Sequence, residues 1–128
     1  MNNRVLDASA LLALLNREPG WEMVLEALQH DAYVSAVNWA EVVGKLSEAG
    51  MPENEVREVL ESLPVQLVSV TSDLAFRIGF LRPRTRTLGL SLGDRACLAL
   101  AESLGVPALT ADRAWASLQI GVKTELIR

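Results

Sequence analysis

Apolar residues in this chain form short clusters separated by longer stretches in which they recur every three or four positions. That alternation is expected of brief buried strands joined by amphipathic helices. Val5 and Leu6 predict a first strand, and residues 8–15 predict a helix with Asp7 or Ser9 as its cap. A second helix is expected after Pro19. Tyr33 and Val34 mark a second strand, and Ser35 caps a helix that runs to about Ala49, where Gly50 stops it. Beyond Pro52, Val56, Val59, Leu60 and Leu63 keep helical spacing until Pro64 ends it. Residues 65–70 read as a third strand. Thr71 or Ser72 starts a helix through Ala75, Ile78 and Leu81, and Arg82-Pro83-Arg84-Thr85-Arg86 then breaks the pattern and predicts an exposed loop. Ser91 and Asp94 have capping-box spacing ahead of an apolar helix that Gly105 terminates. Residues 107–110 predict a fourth strand, a short helical turn carries Trp115 and Leu118, and residues 122–127 predict the last strand. Strands alternating with helices predict an α/β fold with a short, mostly parallel sheet covered on both faces.

Composition narrows this picture without changing it. The chain has 128 residues, half of them hydrophobic, which suits one domain over 1–128 with a substantial core. Sixteen acidic against 12 basic residues give a net charge of -4, so attraction of a polyanion must be local rather than global. A single cysteine allows no intrachain disulfide, and the first apolar stretch is too short to span a membrane and lacks the flanks of a signal peptide. A soluble cytoplasmic protein is the expectation.

Four acids stand out against their apolar neighbours. Asp7 directly follows the first strand and Asp112 follows the fourth, both at carboxyl ends where open α/β sheets place their sites. Glu41 is the only charged residue between Ala32 and Gly44, and Asp94 lies in the first turn of an otherwise apolar helix, where the positive helix terminus favours its ionised form. Each has a plain structural explanation: helix start for Asp7 and Asp94, turn for Asp112, exposed or paired helix position for Glu41. Gathering ionised carboxylates is costly unless a cation compensates. Oxygen donors without a Cys/His cluster point to a hard ion, Mg²⁺ or Mn²⁺.

These residues fall in segments that together resemble the PIN-domain family, in particular the toxin ribonucleases of VapBC toxin-antitoxin systems. The segments are Val5-Leu6-Asp7-Ala8-Ser9-Ala10-Leu11, Asn38-Trp39-Ala40-Glu41-Val42, the run from Leu90 through Gly93-Asp94-Arg95 to Ala101, and Leu109-Thr110-Ala111-Asp112. The resemblance spans nearly the whole chain and rests on the order and spacing of the segments. It implies a PIN-like three-layer sandwich, with Asp7, Glu41, Asp94 and Asp112 as the metal-binding acids of a Mg²⁺- or Mn²⁺-dependent endoribonuclease. It further implies Ser9 and Thr110 as polar supports, an RNA substrate, a homodimer, and a cognate antitoxin that silences the site.

Other residues carry weaker expectations. Arg82, Arg84 and Arg86 are candidate RNA contacts in what otherwise reads as a solvated loop. Arg95 is a candidate substrate contact, with pairing to a neighbouring acid preferred. His30 lies in a polar connection, so a general-base role is not expected; Cys97 reads as a core residue, and Trp39 as buried or else partly exposed at a protein interface, with burial preferred. Two other functions remain open. A phosphoacceptor signalling domain also places acids at strand ends, but it needs an acidic neighbour that Asp7 lacks; a non-catalytic PIN-like binding module would keep only the fold. Neither a P-loop nor a dinucleotide glycine fingerprint is present.

Overall fold

The computed structural model describes residues 2–128. Five strands, β1 (Arg4–Leu6), β2 (Ala32–Ser35), β3 (Gln66–Val68), β4 (Ala108–Thr110) and β5 (Thr124–Leu126), form one sheet in the order β3-β2-β1-β4-β5. Every pairing is parallel, so the expectation of a mostly parallel sheet sharpens to a wholly parallel one. Six helices accompany it: α1 (Ala8–Asn16), α2 (Trp21–Ala27), α3 (Ala36–Glu48), α4 (Glu53–Glu61), α5 (Ser72–Arg84) and α6 (Leu92–Leu104).

Side chains alternate across the pleat and divide the core in two. On β1 and β4, Leu6 and Leu109 join the α1–α4 side, with Leu11, Val24, Val42 and Leu60. Their neighbours Val5 and Ala108 join the other side, with Leu81, Leu98 and Trp115. The three predicted layers are thus helices, sheet, helices. Burial on both faces explains why these strands are apolar throughout rather than alternating.

The local signals performed as their chemistry requires. Asp7, Ser35 and Ser91 cap α1, α3 and α6 through side-chain oxygens, and Ser91 and Asp94 form the reciprocal capping box. Gly105 closes α6 in the left-handed conformation at φ 68°, which a side chain would resist.

The arginine segment is a correction. Arg82, Pro83 and Arg84 are the last turn of α5, and residues 86–88 form a 3-10 turn, so no extended loop exists there. Pro83 is exposed, while the next residue but one, Thr85, is buried and holds the turn. Its amide donates to the Leu81 carbonyl at 3.0 Å and its Oγ1 to the same oxygen at 2.8 Å. A proline in the final turn removes one donor without removing the anchor beyond it.

Candidate active site

Topology assembles the site before any side chain is considered. From β1 the chain moves outward to β2 and β3, then returns to place β4 on the other side of β1. The order therefore reverses between β1 and β4, and open α/β sheets bind ligands beyond the carboxyl ends of strands at such a point. Asp7 follows β1 directly, Thr110 ends β4, and Asp112 stands just past it. The amino-terminal halves of α3 and α6 bring Glu41 and Asp94 alongside. All four acids line a single cleft of about 470 Å³, together with Ser9, Asn38 and Lys45.

Asp7 is the most constrained of them, at 4% exposure. Its Oδ1 accepts from Ser9 Oγ at 2.7 Å and from the Ala10 amide at 2.8 Å; its Oδ2 accepts from Thr110 Oγ1 at 2.5 Å. The two hydroxyls have one proton each, and both point at the carboxylate. Their own lone pairs take the Ala111 amide at 2.9 Å, on Ser9, and the Asp112 amide at 3.0 Å, on Thr110. Ser9 and Thr110 thus hold the Asp7 carboxylate from both sides. Burial pushes the Asp7 pKa up from 3.8 to about 6; the hydrogen bonds from Thr110, Ser9 and Ala10 oppose the rise, and the nearby charge of Asp94 adds to it.

The other three acids are more open. Asp94 uses Oδ2 to accept the Ser91 amide at 3.0 Å, Asp112 uses Oδ1 to accept the Ala114 amide at 3.0 Å, and Glu41 uses Oε1 to accept from Asn38 Nδ2 at 2.9 Å. Asp94 is half-buried while Glu41 and Asp112 are exposed, which corrects the expectation that all four sit in apolar surroundings. Glu41's apolar sequence neighbours turn to other sides of α3: Val42 enters the core, while Trp39 and Val43 line a groove against α4. Trp39 is accordingly half-buried rather than a core residue. Burial sets Asp7 apart from the other three, and it is the acid that bears a strong desolvation cost.

Charge accumulates here. Cys97, fully buried in α6, has its thiol pKa pushed up first by burial and then by Asp7, Asp94 and Glu41 together, so it is a neutral core residue. Among the described residues no three Asp, Glu, His or Cys side chains already surround one point at ligand distance. The acids form cleft walls rather than a closed cage. The donor set nevertheless fits a hard divalent cation: among the described residues, five carboxylates, counting Glu18, line the cleft against the single cation Lys45, and one oxygen each of Glu41, Asp94 and Asp112 has no protein hydrogen bond.

The remaining candidates fall outside the cleft. Arg95 does not pair with an acid: it is buried and its Nη1 donates to the Ile78 carbonyl of α5 at 3.1 Å. Successive helical residues point about 100° apart, so Arg95 cannot share Asp94's direction. Arg84 contacts Glu102 at 3.3 Å and the Ile120 carbonyl at 3.0 Å, whereas Arg82 and Arg86 line a separate cavity of about 610 Å³. His30 is exposed and remote from the cleft lining. Sequence reasoning passed over Asn38 and Lys45, although their spacing of three and four residues from Glu41 places both on its face of α3.

A parallel α/β domain with an acid-lined cleft at its topological switch point is the class these features define. The chain belongs to the PIN domain family, whose model matches residues 4–120. Solved structures share the fold across essentially the full length. A toxin-antitoxin complex from Klebsiella pneumoniae has a chain 21% identical, with 98% of each chain covered and a TM-score of 0.76. DNA-bound VapBC from Salmonella typhimurium is 16% identical, with 100% of each chain covered and a TM-score of 0.78. VapC20 from Mycobacterium tuberculosis, described as a Sarcin-Ricin loop cleaving toxin, is 19% identical over 94% of this chain and 98% of its own, with a TM-score of 0.75. A search of curated protein sequences finds no match.

Proposed function

We propose that this protein is a Mg²⁺- or Mn²⁺-dependent endoribonuclease acting as the toxin of a type II toxin-antitoxin pair, with Asp7, Glu41, Asp94 and Asp112 as its metal-binding and catalytic acids. The observation that carries the reading is the shared cleft at the β1/β4 switch point, in which a buried Asp7 faces three acids with unpaired oxygens. RNA as substrate is supported by family membership and by the shared fold of VapC20, a Sarcin-Ricin loop cleaving toxin.

A divalent ion in such a site supplies positive charge to the scissile phosphate and acidifies water. The chain's own part is to hold the acids ready. Ser9 and Thr110 orient Asp7 through both of its oxygens, the capping box fixes Asp94, and the Ala114 amide fixes Asp112. Lys45, which lines the cleft and has no ion pair among the described residues, is available to a phosphate there. Asp94→Asn keeps a side-chain oxygen for the capping box yet removes a charge, so metal-dependent cleavage of an RNA substrate should fall by roughly a thousandfold with an unchanged far-UV CD spectrum. Retained cleavage would count decisively against the four-acid site.

Arg82 and Arg86 supply local positive charge on a chain that is acidic overall, and we assign them to the RNA backbone. Arg82→Glu with Arg86→Glu should raise KM and flatten its dependence on salt while kcat holds; an unchanged KM removes them from the interface.

The antitoxin and homodimer assignments rest on the family and on relatives that occur in toxin-antitoxin complexes. Two apolar surfaces are available to such partners: the groove of about 440 Å³ lined by Trp39, Val43, Val56 and Leu60, and the tilted ring pair Phe76 and Phe80, exposed by 63% and 67%. A solution mass of one chain by light scattering would remove the homodimer. Among the described residues no helix is long and apolar enough to cross a membrane.

A further inference from the structure

Asn38 is 1% exposed yet belongs to the cleft lining, and its amide has an unusual arrangement of partners. Nδ2 donates to Glu41 Oε1 at 2.9 Å, one helical turn along α3, and to the Gly93 carbonyl at 3.0 Å, in the first turn of α6. Both amide hydrogens are thereby engaged. The other end of the group, Oδ1, is buried with no hydrogen-bond partner among the described residues. Flipping the amide would not help, because it would set Oδ1 against two oxygens. The observed orientation therefore accepts an orphaned acceptor in order to keep both donors in place, and a buried polar group left half-satisfied calls for a reason other than stability.

Gly93 completes the arrangement. A Cβ at that position would overlap Glu41 Oε1, so the glutamate carboxylate lies directly against the α6 backbone, next to Asp94. Without a tether, an exposed glutamate with three rotatable bonds would sample many rotamers, and Lys45 lies at i+4, where a Glu–Lys pair forms readily. Asn38 opposes both outcomes.

We infer that Asn38 is the positioning residue for Glu41: it ties the carboxylate to the first turn of α6 so that Glu41 and Asp94 face the cleft as one unit. The inference rests on the metal-site reading above and deepens it. Asn38→Leu is close to isosteric, removes the orphaned acceptor along with both donors, and should leave the thermal midpoint unchanged or raised. Mn²⁺ affinity, measured by calorimetry on the full chain, should fall about 10- to 100-fold, the usual consequence of removing a partner that orients a metal ligand. In a Glu41→Gln background the same substitution should have no further effect, since Asn38 acts through Glu41. A crystal structure of the metal-free Asn38→Leu protein should show Glu41 displaced from Gly93.

The outcomes separate the two readings. If the wild-type protein binds no Mn²⁺, the metal site fails and this inference falls with it. If the wild type binds and Asn38→Leu binds equally well, or if Glu41 stays against Gly93 in the variant crystal, only the positioning role is overturned. An equal loss in the Glu41→Gln background would reassign Asn38 to a general structural role and overturn it as well.

Discussion

Asp7→Asn should abolish metal-dependent cleavage, with a loss of roughly a thousandfold or more, and at the same time make the metal-free protein more stable at pH 7 to 8. The two effects have one cause. Asp7 is a charge held in a dry place, with a pKa raised from 3.8 to about 6 chiefly by burial. An acid whose pKa is higher when folded stabilises the fold below its unfolded pKa, and that contribution is lost as pH rises through the folded value. The window is thus pH 3.8 to about 6, and above it the shift amounts to about 3 kcal/mol at 1.36 kcal/mol per unit. Asparagine carries no charge to desolvate. One hydroxyl must reverse to meet its amide, which costs about 1 kcal/mol and leaves a net gain of about 2 kcal/mol. Urea unfolding in EDTA at pH 5 and pH 8 measures this: the wild type should weaken between the two and the variant should not. A variant less stable than wild type at pH 8 would show that the hydroxyl bonds outweigh burial.

Thr110→Val tests the opposing half of the balance. The Thr110 hydroxyl is the largest of the influences holding the Asp7 pKa down. Hydrogen bonds to charged groups contribute about 1.5–3 kcal/mol, so its loss should raise the Asp7 pKa in the metal-free protein by about one to two units. Asp7 would then be largely protonated at neutral pH. Mn²⁺ binding, which requires the carboxylate, should shift to correspondingly higher pH, and cleavage at pH 7 should fall while recovering at pH 8.5 to 9. Carboxyl ¹³C titration by NMR reads the pKa directly. An unmoved titration would mean that Ser9 and the Ala10 amide suffice, and would reduce Thr110 to a packing residue.

Much of this molecule was legible in the order of its residues because the information was local. A cap needs only a hydroxyl or carboxylate at one end of a helix, and Ser35, Ser91 and Gly105 announce the bounds of α3 and α6 to any reader of the chain. Short apolar clusters such as Val5-Leu6 and Tyr33-Val34 announced the strands for the same reason. The four acids were visible because Asp7 and Asp112 follow strands and Glu41 and Asp94 stand in otherwise apolar helical segments, and the segments around them carried the family resemblance.

What local pattern could not give was direction. It placed Glu41 among apolar neighbours but not on an open face of α3, because apolar content says nothing about which way each side chain turns once a helix has partners. It treated Pro83 as a break, because the buried Thr85 that secures the turn is recognisable only after α5 packs against α6. It read Arg95 beside Asp94 as a potential partner of the acids, whereas helix geometry sends the guanidinium to Ile78 instead. Asn38 carried no signal on its own, since its role depends on Gly93, 55 positions away in the chain.

Sequence by itself therefore determined most of the elements, their caps, the α/β class and the four candidate acids, all of which depend on interactions within a few residues. Tertiary structure alone decided that β4 returns beside β1, which sets Thr110 against Asp7 and draws Asp112, Asp94 and Glu41 around one cleft. The physical reason is that a carboxylate's character is set by what surrounds it in space. Asp7 differs from the other acids by its burial and its two hydroxyl donors, and one of those donors comes from the far end of the chain.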